Sequence, residues 1–319
     1  LTRGIPDALP GPIAGGGVTL GVNVALDQYD NDELVANLQA SRSLGIVHVK
    51  QSFYFTEPFD WQAADQLVTA VADANLTLTP LLDGDPAAQF IQPDTAAYAA
   101  WAGAFAARYG DAIDHYIIWD EPNISSHWGG QDVNAIEYAA LLTAASAAIR
   151  AADSDAQIVA APLAPTVETG PRNLADHLYL QRLYEAGAAP AFDIAAAKPY
   201  GFHTGPDDRR VANDVLNVSR VILMREVMVR NGDGDKAIWA GNWGWNALPP
   251  DWNGRPSIWG EVTAAEQAAW TRDTFTRAQR EWPWLGRMFL ETWEPNAPED
   301  DPRWGFSLKR NIENWGLEI

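Results

Sequence analysis

The sequence predicts an α/β chain folded as a (β/α)8 TIM barrel. Three observations carry this expectation. Eight short apolar runs alternate with longer helical patterns. Most of the runs are near-continuous, as strands covered on both faces are. The segments after the fourth, sixth, seventh and eighth runs are long and rich in Trp, Asn and Pro, whereas those returning from helix to strand are mostly short. Barrels of this kind carry function on the loops at the C-terminal ends of the strands. An open doubly wound sheet is the structural alternative, but "GVNVALDQYD" stands where a Gly-rich phosphate loop would come after its first strand.

In chain order, residues 1–16 are rich in Pro and Gly and read as an extended lead-in, with the barrel spanning 17–319. Strands are expected at 18–25, 47–53, 76–82, 115–120, 157–163, 192–200, 236–242 and 287–293. Asp32 and Glu33 open the first helix and Gly45 closes it. Asp94 and Gly110 bracket the third, which holds the long Ala-rich run 96–107. Asn134 with Glu137, and Thr263 with Glu266, have capping-box spacing. Gly187 and Gly232 fall where the fifth and sixth helices should end. After "WGFSLKRNIENWGLEI" the chain stops, so the eighth helix is expected to be short or missing. The start at Leu1, without Met or a signal peptide, reads as a processed or trimmed form.

Composition narrows the partners. With 22 basic against 42 acidic side chains, the net charge is −20. Such a surface disfavours nucleic acid and anionic membranes and suits neutral or cationic ligands. No run is long enough for membrane insertion as read from the sequence. There is no cysteine, which excludes disulfides, thiolate metal sites and a cysteine nucleophile. The five His are scattered without metal spacing, and "NGDGD" at 231–235 reads as a turn rather than a calcium loop, because the distal bidentate Glu is missing. No cofactor is expected. Oligomeric state is not legible.

One stretch carries chemistry. In "HYIIWDEPNISSHWGG" an apolar run ends abruptly in Asp120 and Glu121. A carboxylate ending the fourth strand should point into the barrel mouth. Beside Trp119 and a Pro-stiffened turn it would lose solvent, which raises a carboxyl pKa and suits a general acid. An ordinary ion pair with a Lys or Arg accounts for it equally well. Asp120, one residue earlier, alternates away by strand geometry and is expected to face outward.

"IIWDEPN" resembles the "WNEPN" signature of clan A glycoside hydrolases, which are (β/α)8 retaining enzymes. "AAAKPYGFH" resembles their sixth-strand "HPYG" element, "IWAGNWGWN" their seventh-strand "WITEFGW" element, and "DDPRWGFSL" a segment after the eighth strand in related bacterial members. The resemblance spans about 18–308. It implies that Glu121 is the acid/base and Tyr200 an active-site tyrosine, in a cleft for an oligosaccharide or polysaccharide. It also implies an extracellular or cell-surface bacterial setting.

The departures from that pattern bear directly on chemistry. The seventh-strand nucleophile Glu is Asn242 here, and an amide cannot attack an anomeric carbon. The retaining mechanism needs two carboxyl groups roughly 5–5.5 Å apart. The Asn of the signature is Asp120, the His before Pro-Tyr is Lys198, and Lys50 stands where an Arg is common on the second strand. Four readings compete. Hydrolysis is lost and glycan binding kept, leaving a pseudoenzyme or a noncatalytic cell-surface protein. Or a relocated carboxylate serves, Glu291 at the end of the eighth strand being the best placed, ahead of Glu294 and Asp120. Or an inverting scheme uses a more distant base, at roughly 6.5–9.5 Å. Or Asn242 is a deliberate substitution, which the accompanying changes at Asp120 and Lys198 oppose. Glu291 also reads simply as an ion-pair partner for Lys198 or Lys50.

The 15 tryptophans suggest sugar-stacking surfaces, the alternative being plain core. Trp293 is expected to floor the central subsite, Trp243 to shape it and Trp128 to line the rim. In the seventh loop, which also holds Trp245, Trp252 and Trp259, one or two rings are expected in the cleft and the rest in packing.

Overall fold

A computed structural model describes residues 17–310. Eight parallel strands close into a barrel in simple order, β1 to β8. They are β1 Thr19–Val24, β2 His48–Tyr54, β3 Thr77–Asp83, β4 His115–Ile118, β5 Gln157–Leu163, β6 Ile194–Ala197, β7 Ala237–Trp243 and β8 Leu285–Leu290. The α/β barrel expected from the sequence is the fold observed. Among the described residues the helices are α1 Asn31–Ser43, α2 Trp61–Asp73, α3 Thr95–Tyr109, α4 Ala135–Ala152, α5 Asp176–Glu185, α6 Val221–Arg230 and α7 Ala264–Glu281. A further helical turn begins at Leu308. The expectations about the lead-in and the end of the eighth helix lie outside the described residues.

Local chemistry sets these boundaries. The first helix starts just ahead of its acidic pair: Asp30 is the N-cap and forms a reciprocal capping box with Glu33. Thr263 and Glu266 form the second such box. Asn134 caps α4 from its own side chain without the reciprocal half. Asp94 caps α3. Gly45, Gly187 and Gly232 come after their helices with positive φ, where a Cβ would be strained. The segment 231–235 is the α6–β7 turn, with Asp233 paired to Lys236 at 2.8 Å.

The strands are buried on both faces. All residues of β4, β6 and β7 are buried. A central layer of Leu81, Ile117, Val159, Ile194, Ala196, Trp239 and Phe289 fills the barrel, so it is a core and not a pore. Helix α4 is long and apolar enough, by length and composition, to cross a membrane. In this fold it packs between α3 and α5, with Tyr138, Leu141, Leu142, Ala145 and Ile149 buried.

Candidate active site

The β4 strand ends at Ile118, and its hydrogen bonding continues into the turn: Trp119 N–H donates to Leu82 O and Glu121 N–H to Pro162 O. Trp119 and Glu121 adopt φ of +69° and +43°, a left-handed conformation that costs non-glycine residues of order 1–3 kcal/mol each. The surroundings hold it in place. The Trp119 indole donates to His127 O at 3.0 Å and lies against Gly84, where a Cβ would overlap the ring. Asn123 is fully buried and ties the turn to the β5–α5 loop through Ala164 and Leu174.

This kink corrects one expectation. Asp120 does not face outward. Strand alternation fails where two of three consecutive residues have positive φ, and Asp120 and Glu121 converge on a single ammonium. Lys198 Nζ lies 2.8 Å from Asp120 Oδ2 and 2.8 Å from Glu121 Oε1. His127 Nδ1 approaches the other oxygen of Glu121 at 3.3 Å. Asp120, Glu121 and His127 together have the outline of a cation site, and the cation held between the two carboxylates is Lys198.

Burial opposes charge on both partners, and pairing overrides it. Burial works against the Lys198 ammonium, but Asp120, Glu121 and Glu291 hold its pKa well above the ordinary lysine value. Burial likewise works against Asp120, yet Lys198, Lys50 and His127 keep it below the usual carboxylate range. Asp83, at the end of β3, feels Lys198 and accepts from the Gly84 N–H, but among the described residues no ion pair joins it to a cation. Burial and the neighbouring Asp120 push its carboxyl well above the usual range.

Across the mouth, a second chain of contacts starts at Lys50 on β2. Its Nζ donates to Gly241 O at 2.7 Å and to Asn242 Oδ1 at 2.8 Å. Since an ammonium only donates, the Asn242 carbonyl must face it, and the amide NH2 is thereby aimed at Glu291. Asn242 Nδ2 donates to Glu291 Oε2 at 2.9 Å, and Tyr200 OH donates to the same oxygen at 2.6 Å. Burial lowers Lys50 to about 8, with Asp120 and Glu291 among the groups pulling the other way. Burial raises Glu291, against Lys198, Tyr200, Asn242 and Lys50. Tyr200 is pushed well above its ordinary value by burial and by Glu291, which keeps it a donor.

Glu291 therefore pairs with neither lysine by direct hydrogen bond. It reaches a polar cavity of about 490 Å³ opening beside β1, β2 and β8, which Asp27, Gln51, Tyr54, Asn296 and Arg303 also line. Cavities of about 600 Å³ between α1 and α2, and about 650 Å³ beside the β7–α7 loop, include none of the charged mouth residues.

No protein-family model matches the sequence, and no curated protein does. Solved structures do match. A Croceicoccus marinus glucosidase aligns over 88% of this chain and 61% of its own, at 14% identity and TM-score 0.61. An endo-1,4-β-mannanase from Rhizomucor miehei aligns over 98% and 99%, at 11% identity and TM-score 0.57. A broad-specificity endoglucanase from Clostridium longisporum aligns over 93% and 95%, at 11% identity and TM-score 0.55. The chain shares the (β/α)8 barrel fold of these glycoside hydrolases. This likeness covers the architecture; it spans less than two thirds of the glucosidase.

Within that fold, Lys50, Asp120, Glu121, Lys198, Tyr200, Asn242 and Glu291 converge at the mouth through the two contact chains that centre on Lys198 and Lys50. The tryptophans expected there do not. Trp293 is buried behind the barrel wall and donates to Asn37 Oδ1 at 2.9 Å, on α1. Trp243 is fully buried in the core, 6.5 Å from Trp245. Trp128 is buried between Trp119 and Tyr138. None of the three rings lines the polar cavity of about 490 Å³ that Glu291 reaches. Of the seventh-loop rings, Trp245 packs on Gly201, where any Cβ would overlap it, whereas half-buried Trp259 stands 6.3 Å from Tyr200. Sequence reading passed over Asp83, His127 and Tyr54. Asp83 ends its strand in "LLDGD", the same signal that marked Glu121.

Proposed function

We propose that the barrel mouth binds a β-linked glycan and that the two-carboxylate hydrolysis of the related fold is lost. The observation that carries this is the fixed amide at Asn242, held between Lys50 and Glu291 in the seventh-strand position. The expected acid is engaged as well: Glu121 shares Lys198 with Asp120, so proton delivery to a leaving group requires breaking an ion pair first. Neutral hydroxyls suit the remaining donors and acceptors, and Tyr54 offers a ring face at the cavity wall. An extracellular or cell-surface setting fits a glycan ligand.

A second reading rests on Glu291. Two donors hold its Oε2 while the residue lines an open cavity, an arrangement in which a relocated carboxylate could act on substrate. Calorimetry and reducing-end release on a panel of β-glucan, β-mannan and β-xylan oligomers separate the two. Binding without release, in the unmodified protein and in Glu121→Gln and Glu291→Gln alike, is the expected result. Turnover by the unmodified protein that disappears in either variant overturns the loss of hydrolysis.

A further inference from the structure

The cavity that Glu291 lines carries two carboxylates, Asp27 and Glu291, against one guanidinium, Arg303, while Lys198 and Lys50 act on Glu291 only from outside it. Lys198 is spent on Asp120 and Glu121, and Lys50 on Gly241 O and Asn242 Oδ1; neither lines the cavity. Arg303 does line it, but its guanidinium is committed twice over to Asp301, through Nε at 3.1 Å and Nη2 at 3.1 Å. Asp301 in turn also takes Arg255 at 2.8 Å. Two carboxylates face the space. Exposed Asp27 stands on the β1 side, and Glu291 on the β8 side with one oxygen held by Tyr200 and Asn242. Tyr54 supplies the ring in the wall, and the whole chain adds a field from its net charge of −20.

We propose that this cavity selects a cationic sugar: a β-linked oligosaccharide of hexosamine with free amino groups, its ammonium set between Asp27 and Glu291. The inference rests on the glycan-binding reading above and names the class of sugar. An ammonium has three donors and no acceptor, so it matches the Glu291 oxygen left outside the Tyr200 and Asn242 bonds. Its approach also favours the ionised form of a carboxyl that burial disfavours, so binding and ionisation reinforce each other. A uronate would meet Asp27 and Glu291 as like charges, with Arg303 already occupied.

The test is calorimetry at about pH 6 and low salt with four tetramers: β-1,4-glucosamine, its N-acetylated form, β-1,4-glucose, and a uronate. The expected result is a glucosamine Kd lower than that of the neutral tetramers by about tenfold, the worth of one charge-assisted hydrogen bond. That ratio should fall by about tenfold in Glu291→Gln and by about threefold in Asp27→Asn, the contact nearer solvent. On the unmodified protein, where folding is not in question, raising salt to about 0.5 M should shrink the preference. Equal binding of charged and neutral tetramers overturns the cationic preference while leaving a glycan cleft in place. Tighter uronate binding overturns it in favour of Arg303. Failure of all four to bind removes the glycan reading itself.

Discussion

The two ends of the barrel bury charge in opposite ways. At the mouth, Lys198 stays charged because Asp120 and Glu121 sit within a hydrogen bond of it. At the N-terminal end, Arg287 on β8 and His115 on β4 lie against Trp239, with His48 on β2 close enough to act on His115, and no carboxylate contacts the arginine among the described residues. The Arg287 guanidinium lies 4.6 Å over the Trp239 ring and donates to Thr79 Oγ1 at 3.0 Å, while the His115 ring lies 4.9 Å from the same indole. Burial there lowers Arg287 to about 10. Burial, then Arg287, brings His48 to about 4; burial, then Arg287 and His48, brings His115 to about 3. One end keeps charge by pairing it, and the other removes it by deprotonation and lays the remaining cation on a ring. The same strands thus carry an ion-paired end and one without such pairs among the described residues.

The largest effect that can break this contrast is acidity at the N-terminal end. A histidine with a depressed folded pKa gives its full contribution above the unfolded value of about 6.5 and loses it as pH falls toward the folded value, at up to about 1.4 kcal/mol per pH unit. The histidines should therefore lower stability between about pH 6.5 and 4, against the raised carboxyls of Asp83 and Glu291, whose protonation works the other way. Urea midpoints across that window measure it, and His115→Phe, which still stacks on Trp239 but cannot charge, should flatten the slope. An unchanged slope in His115→Phe would mean that the His115 ring remains solvated.

Next is the cation of the mouth. Lys198→Met leaves Asp120 and Glu121 facing each other without it, a loss expected at about 3–5 kcal/mol near neutral pH. The sign with pH is the same as for the histidines, although here protonation removes a charge instead of adding one. Asp120 is held below the usual range, so its contribution is present above the unfolded carboxylate value of about 3.9 and disappears as pH falls through the folded one. The gap between Lys198→Met and the unmodified protein should narrow in acid. A loss below about 1 kcal/mol at neutral pH would show that the carboxylates are compensated by something other than the lysine.

The contrast also explains which features were legible in the sequence. Apolar runs located all eight strands, and β5 at its observed limits, because a doubly covered strand needs no help from its neighbours to be recognised. Strand-end position located Glu121 and Glu291, since a barrel directs the residues at its C-terminal strand ends into the mouth, whereas Lys198 and Asn242 came from the resemblance to the sixth- and seventh-strand elements. The rule fails where backbone geometry changes after the strand. Positive φ at Trp119 and Glu121 swung Asp120 inward, and nothing in "WDEPN" announces those angles. It fails again for Trp243 and Trp293, whose size suits a sugar platform and a helix-packing wedge equally. Pairing partners were the least legible feature. Glu291 was a fair match for either lysine by charge, but its partners are an amide and a phenol.

The smallest effect sharpens the contrast inside the mouth itself. Glu121 has two nitrogen partners, and they differ in burial. The Lys198 side chain is 5% exposed and that of His127 is 26%, stacked on Phe90 at 4.6 Å and open to solvent on its other side. Solvent screening and the looser 3.3 Å contact should make the His127 pair worth less than about 1 kcal/mol. Double-mutant cycles with Glu121→Gln against His127→Gln and against Lys198→Met separate the two, because each cycle removes the common background of the other side chain. The lysine cycle should give a coupling several times the histidine one. If the two couplings are equal, the ammonium is shared mainly with Asp120, and Glu121 is the freer of the adjacent carboxylates. That outcome would restore it as a group able to give a proton to a bound glycan.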